Sequence, residues 1–475
     1  MRSDQNMKRN VGKKVVILGA GLTGLSSACE LLERGFNVTL IEKEDQLGGL
    51  ARTVHLNKAN FDLGIHGFFP SQKGNEKYLE IINKILGDDL VVVNKKTSIY
   101  FNQRYVNYPL GFKDMFSSLS LFTSFLCFVD FLKHRLMLRL NKGKEDDSFK
   151  GWICNRFGEK LYNIYFGPFA EKTWGVPPEN LASTVLGRRV TVVSVWDVIK
   201  KGLLQTFGWK DKIDEEYPQQ PMHFLYAKEG VDKLPKAMEK IILARGGTII
   251  KKAIVEGIRK ENDGFLVSVE QDTANKLIFD ADFLLSTIPI TDFAMAFNPS
   301  QEIKKSCSRL RYRALVIVNI SVKRSNIFTD QWVYYSSRDT IFTRINEFTN
   351  VHDSFGTKDI SSICVEIPCF ENDEFFIKKD SEIFRLVMDD IEKLNLFSVA
   401  DVDEFNVVKL SNAYPIYTTE ITQYLEPVVE FIKNMNNSFT MGRQGGFSYI
   451  NMDEAFRDGL NAADKIAGLS KKDDL

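Results

Sequence analysis

The chain has 475 residues, 44% hydrophobic and 26% charged, which is enough for two or three domains or one large enzyme fold with insertions and excludes a disordered chain. Lys+Arg and Asp+Glu are both 62, so the net charge is zero and no global field holds nucleic acid; an anionic ligand has to be met by a local cluster of arginines. Six scattered cysteines without a C-x-x-C exclude a disulfide scaffold, and five histidines without zinc spacing give no metal site.

Residues 1–13 are polar and run straight into a strand with no apolar core or cleavage site of a signal peptide, which predicts a cytoplasmic protein. KVVIL at 14–18 is a continuous apolar, β-branched run, as expected for a strand buried on both faces of a parallel sheet. Leu22, Leu25, Ala28, Leu31 and Leu32 then recur at helical spacing, and a second strand, NVTLIE, ends in Glu42. Between strand and helix lies GAGLTG, the dinucleotide fingerprint in the βαβ context that gives it meaning. Gly19 permits the turn, Gly21 lets a pyrophosphate approach the helix N-terminus, Gly24 lets the helix pack on the strand, and Glu42 accepts ribose hydroxyls.

Further along, residues 115–132 (MFSSLSLFTSFLCFVDFL) are apolar over nearly the length of a bilayer span, but they carry four Ser, a Thr and Asp130. The expectation is a buried helix within a helical subdomain, with a membrane-surface helix as the alternative and no integral span. Helical periodicity covers roughly 109–204, strands return at 248–289 and 312–368, and a helix from Ala455 closes the chain. The predicted fold is α/β: a discontinuous Rossmann-like dinucleotide-binding domain (1–100, 225–300 and 410–475), an inserted α-helical subdomain (101–224) and a substrate-facing β-sheet (301–409).

QLGGLAR at 46–52, with Gly48, Gly49 and Leu50, resembles the second fingerprint of FAD enzymes related to amine oxidases and protoporphyrinogen oxidases, which favours FAD over NAD. Five stretches together resemble the flavin-dependent UDP-galactopyranose mutases: DLGIHGFF at 62–69, QRYVNYPL at 103–110, the helix-rich 149–190 containing Trp174 and LGRRV, AYPIYT at 413–418, and GRQGGFSYINMD at 442–453. The resemblance implies an isomerase, without net oxidation, that acts on a nucleotide-activated sugar in cell-surface polysaccharide precursor synthesis. FAD would be used in its reduced form, with NAD(P)H as a candidate reductant.

By that resemblance His66 faces the flavin, and Arg189, Arg344 and Arg443 hold the diphosphate. Trp174, Tyr334, Tyr414 and Tyr449 contact substrate, while Arg443, Asn451 and Met452 border the cofactor at the start of the last helix. The chemistry agrees, since planar guanidinium forks bind phosphate oxygens bidentately. One departure is Ala170, where the mutases carry an asparagine four residues before the tryptophan. Two readings stay open beside the mutase: an oxidase or desaturase of the amine oxidase and protoporphyrinogen oxidase type, and a degenerate FAD-fold binding protein, against which Gly19, Gly21, Gly24 and Glu42 argue.

Overall fold

A computed structural model describes residues 12–70, 76–108, 119–140, 147–185, 223–271 and 275–470. Its centre is a five-stranded, wholly parallel sheet in the order Ser438–Thr440, Phe283–Ser286, Lys14–Leu18, Asn37–Ile41, Thr248–Ile250. Val15 to Leu18 are at most 2% exposed, as a strand covered on both faces requires. The strands come from four distant parts of the chain, so the Rossmann-like layer is discontinuous, as expected.

Helix Leu22–Glu33 follows the first strand and packs against the closing helix Met452–Ser470. Three hydroxyls join the two: Thr23 donates to the Ala455 carbonyl, Ser26 to Phe456 and Ser27 to Gly459. The approach is so close that a Cβ on Gly459 would lie 1.9 Å from the Ser26 Oγ. A three-stranded antiparallel meander, Ala253–Glu261, Gly264–Gln271 and Asn275–Ala281, covers the parallel sheet through Ile258, Phe265, Val267 and Val269.

The second large layer is a seven-stranded sheet in the order Val402–Pro415, Tyr312–Val322, Ser361–Cys369, Arg344–Glu347, Trp332–Tyr335, Thr97–Phe101, Arg104–Asn107. All its pairs are antiparallel except Trp332–Tyr335 with Thr97–Phe101. Helix Asp380–Lys393 covers one face with Ile383, Val387, Met388 and Ile391, which leaves the other face for the Rossmann-like layer and the site. The boundaries drawn from sequence at residues 100 and 409 each fall inside a strand of this sheet.

Helices Leu121–Leu140, Phe149–Phe157 and Gly167–Trp174 form a separate cluster around Ile153, Phe157, Leu161 and Tyr165. A π-helical stretch, Tyr162–Phe166, runs directly into the last of them; such bulges turn side chains off the regular helical face. The first part of the 115–132 segment, through residue 118, lies outside the described residues; from Leu121 it is helical as expected, but it is buried on one side only, with Phe122, Phe125, Phe128, Val129 and Leu132 exposed.

The closest test of the βαβ turn is Gly24, where a Cβ would sit 2.0 Å from the Gly19 carbonyl oxygen. Gly24→Ala should therefore lose about 1–3 kcal/mol of stability or fail to fold, read as a lower urea midpoint, and an unchanged midpoint would contradict this packing.

Candidate functional site

The glycine turn is held from both sides. Gly19, at φ +94°, donates its N–H to the Ile41 carbonyl, and a Cβ there would lie 2.5 Å from Thr287 Oγ1. Gly48 donates to the Ala20 carbonyl and bridges Gly21, so the second glycine pair lies beside the first. Gly49, also at positive φ, is so close that its Cβ would stand 3.2 Å from the Gly21 Cα. Leu50 packs partly buried against the same core.

Gly21 itself is different. Its backbone sits at φ −70°, ψ 178°, which any residue adopts, and a Cβ there would meet nothing within 4 Å. Neither strain nor protein packing asks for glycine at this position. The helix it opens has no side-chain cap and no acidic residue in its first turn, so its N–H groups and positive dipole end face outward. Glu42, 7% exposed, accepts from the Ala20 and Glu44 amides with its two oxygens and closes the far end of the cradle. An open glycine, an uncapped helix start and a terminal acid fit a dinucleotide pyrophosphate and its ribose.

The arginines lie where the layers meet. Arg443 is on the short helix Gly442–Gly445, and a Cβ on Gly442 would lie 2.8 Å from Thr23 Oγ1, so this arginine stands beside the first turn of the glycine helix. Its guanidinium donates to the Ile450 carbonyl and lies 5.4 Å and 5.3 Å from the ring centres of Tyr414 and Tyr449. Those two rings stack at 5.4 Å, and Trp174 meets Tyr449 edge-on at 6.2 Å. Asn451 immediately precedes the closing helix and donates its amide N–H to Glu454, and Met452 is buried behind it.

Arg344 faces the same space from the sheet, 5.8 Å from the Tyr334 ring centre, but it is not a bare cation. Its Nε and Nη2 donate at 2.8 Å to the two oxygens of Glu366, which also accepts from Asn346. Burial opposes the charge on Arg344, yet Glu366, with Tyr334 and Tyr414 adding to it, outweighs burial and raises its pKa, so the guanidinium stays charged. Arg344 is therefore a half-neutralised, oriented donor rather than an open phosphate clamp. Arg189 lies outside the described residues.

His66 comes close enough to both arginines to feel them. Desolvation first, then Arg443 and Arg344, lower its pKa to about 3, so the ring is neutral at any physiological pH. Its Nδ1 is buried without a hydrogen-bond partner among the described residues, which suits a ring that meets a ligand. Gly64 explains why the loop can sit there: at φ +89°, its Cβ would lie 2.9 Å from a Glu366 oxygen. The His66 amide in turn donates to the Tyr226 hydroxyl at 3.4 Å.

Several of these partners were not assigned from sequence. Glu366 had a visible signal, a carboxylate in the otherwise apolar strand SSICVEIPC. Asp62 opens the DLGIHGFF stretch and is fully buried, accepting from Thr53, Tyr226 and the Val231 amide. Desolvation dominates over these bonds and pushes its pKa up to about 7. Arg313 donates to the carbonyls of Thr173, Lys172 and Pro368, a cation at the C-terminal end of helix Gly167–Trp174 that fixes Trp174. Tyr108, from the QRYVNYPL stretch, packs on Tyr334 at 5.2 Å, and Phe169 meets Tyr334 from the helical side, so the cleft wall is aromatic.

A family model described as flavin containing amine oxidoreductase matches residues 22–467. Among curated proteins, 183 residues are 25% identical to protoporphyrinogen oxidase 2, chloroplastic/mitochondrial, of Arabidopsis thaliana, covering 38% of this chain and 36% of that one. Another 180-residue match, 22% identical, is to a protein described as "Probable UDP-galactopyranose mutase" of Klebsiella pneumoniae, covering 37% and 44%. The matches thus span less than half the length of these relatives. The crystal structure of a reduced UDP-galactopyranose mutase superposes with a TM-score of 0.81 at 20% identity over 96% of both chains. A putrescine oxidase variant gives 0.65 at 15% identity over 96% of this chain and 99% of that one. At such identities the likeness is one of fold.

Two outcomes follow from this geometry. Gly21→Leu should fold with an unchanged urea midpoint but purify without bound flavin; a flavin-loaded variant would show that the cradle is misread. Asp62 binds its proton more tightly folded than unfolded, so between about pH 4 and pH 7 its contribution to stability falls as pH rises, by up to about 1.4 kcal/mol per pH unit. Urea unfolding of the wild type against Asp62→Asn should show the wild type losing ground across that window; parallel pH curves would contradict it.

Proposed function

Because the chain belongs to the flavin-containing amine oxidoreductase family, we propose that it is an FAD-dependent isomerase of the UDP-galactopyranose mutase type, acting on a nucleotide-activated sugar in the making of cell-surface polysaccharide precursors in the cytoplasm. The observation that carries this reading is the arrangement of Arg443, Tyr414, Tyr449 and Trp174: one guanidinium beside two stacked phenols, the second of which meets an indole edge, next to the cofactor helix. A diphosphate needs a positive, hydrogen-bonding surface, and a nucleoside base or sugar ring needs flat aromatic faces; this cleft supplies both.

When bound, a reduced flavin would supply the nucleophilic chemistry for the ring interconversion, with NAD(P)H as the proposed source of electrons. The chain's own groups do the rest. Arg443 stabilises the departing diphosphate, while Arg344, fixed by Glu366, directs donors into the same cleft. Neutral His66 presents a ring nitrogen without adding positive charge beside the two arginines. The first turn of helix Met452–Ser470 carries Asp453 and Glu454, and Glu454 accepts the Asn451 amide, so what its remaining N-terminal amides would offer the cofactor ring is hydrogen-bond donors more than positive charge. Arg189 is proposed as a further diphosphate ligand on the resemblance alone.

A second reading, an oxidase of an apolar substrate, is favoured by the aromatic wall of Tyr108, Tyr165, Phe169 and Tyr334. Ligand binding separates the two. UDP should perturb the flavin absorbance of the wild type, and Arg443→Ala should weaken that binding about tenfold to a hundredfold, the loss of one charge-assisted contact of roughly 1.5–3 kcal/mol. Tyr449→Phe should weaken it less. Arg344→Ala is a poor probe because it strands the buried Glu366 carboxylate, a change that costs stability in its own right. A flavin spectrum indifferent to UDP at millimolar concentration, combined with bleaching by an amine or polycyclic substrate, would replace the mutase with the oxidase.

A further inference from the structure

Of the large hydrophobic side chains that the described residues leave exposed, seven lie on the single helix Leu121–Leu140: Phe122, Phe125, Phe128, Val129, Leu132, Leu136 and Met137. Phe122 is 72% exposed and Phe125 62%, values with no counterpart among the other phenylalanines of the described core. The helix is anchored by its opposite side, where Cys127 and Phe131 are 2% exposed and pack with Ile153, Phe157 and Leu161. At about 100° per residue the seven exposed positions cover roughly half of the helix circumference. A helix that pairs with another through an a/d seam exposes a narrower stripe.

The charges on the helix are sorted in the same sense. Its one carboxylate, Asp130, is turned onto the protein and accepts the Lys160 amide at 2.8 Å, next to Gly158, whose Cβ would stand 2.7 Å from the same oxygen. Lys133, among the apolar residues, is exposed, and Arg135 and His134 are partly so. A long lysine side chain can lay its methylenes along an apolar surface and carry its ammonium out to a headgroup. No helix of the described residues is long and apolar enough to cross a membrane, so this one can lie on a bilayer but cannot span it.

We propose that the exposed face of helix Leu121–Leu140 docks the enzyme onto an anionic lipid surface, the phenylalanines entering the interface and Lys133 and Arg135 meeting lipid phosphates. An apolar half-cylinder about 24 Å long, from Phe122 to Met137, with basic and no outward acidic charge is complementary to a negatively charged interface. The neutral charge of the whole chain does not oppose this, because docking depends on the local patch. The surface is independent of the reaction and would serve mutase and oxidase alike.

The test is flotation of the full-length, flavin-loaded protein with vesicles of phosphatidylcholine alone or mixed with phosphatidylglycerol. The wild type should float with the mixed vesicles, less with the neutral ones, and less again at high salt. Replacing Phe122 and Phe125 with Asp should reduce binding by roughly tenfold or more while leaving flavin absorbance and melting unchanged. Lys133→Glu and Arg135→Glu, which leave the apolar side chains in place, should each weaken binding to the mixed vesicles by at least about fivefold and leave neutral vesicles unaffected. A wild type that stays with the soluble fraction in every mixture overturns the proposal. So does a dimer in solution that the Asp substitutions dissociate without any vesicle binding, since the face would then belong to a second copy.

Discussion

A guanidinium with little water around it must be answered by a carboxylate or by carbonyl oxygens, and the seam between the two sheets is organised by three such answers. Glu366 answers Arg344, the Ile450 carbonyl answers Arg443, and two carbonyls at the end of the tryptophan helix together with that of Pro368 answer Arg313. Glu366 answers Arg344 across two neighbouring strands of the seven-stranded sheet, Arg443 closes the turn that leads into the closing helix, and Arg313 ties the helical cluster to the seven-stranded sheet. The aromatic cleft exists because these cations fix its walls. Losing one would leave a buried partner uncompensated, so the same contacts hold the fold and shape the site.

The electrostatics within that seam are graded. Arg344 is largely offset by Glu366 and acts through direction, whereas Arg443 donates to the Ile450 carbonyl and lies against two phenol faces. His66 responds to both cations and to burial by staying neutral, so it brings a ring into the cleft without a third charge. The cofactor cradle lies next to this grading, with the uncapped helix start at Gly21 and Glu42 at its far end. A ligand reaching from the cradle into the cleft passes from backbone N–H donors to side-chain guanidinium donors.

The cradle was legible in the sequence because its parts are close in the chain: turn glycines, helix and acidic strand end all fall within residues 14–49, and local sterics fix Gly19 and Gly24. Gly21 also shows why, since it is the glycine that neither strain nor packing explains. The parallel sheet was legible through KVVIL and its continuous apolar run. The partners of the arginines were not, because Arg344 and Glu366 are brought together by antiparallel register, and Arg313 meets Thr173 from 140 residues away. The strands at 97–107 join the large sheet through a parallel pairing that no local pattern announces, which is why a boundary drawn at residue 100 cuts a strand. Arg344 was recognised as a site residue without its counter-ion, and its role changes once Glu366 stands beside it. The apolar segment 115–132 suggested a buried helix; one face of its described part is buried and the other is open, a division that composition cannot reveal.

The proposed function requires the cleft to hold a nucleotide-sugar against a flavin that is not used as an oxidant. Absorbance of the bound flavin, followed anaerobically while the reduced protein turns over UDP-galactopyranose and the products are resolved, tests that most directly. The account predicts ring-isomerised product over many turnovers with the reduced spectrum unchanged and no product from the oxidised protein. A spectrum that changes stoichiometrically with substrate consumed, or product formed equally well by oxidised flavin, would contradict it.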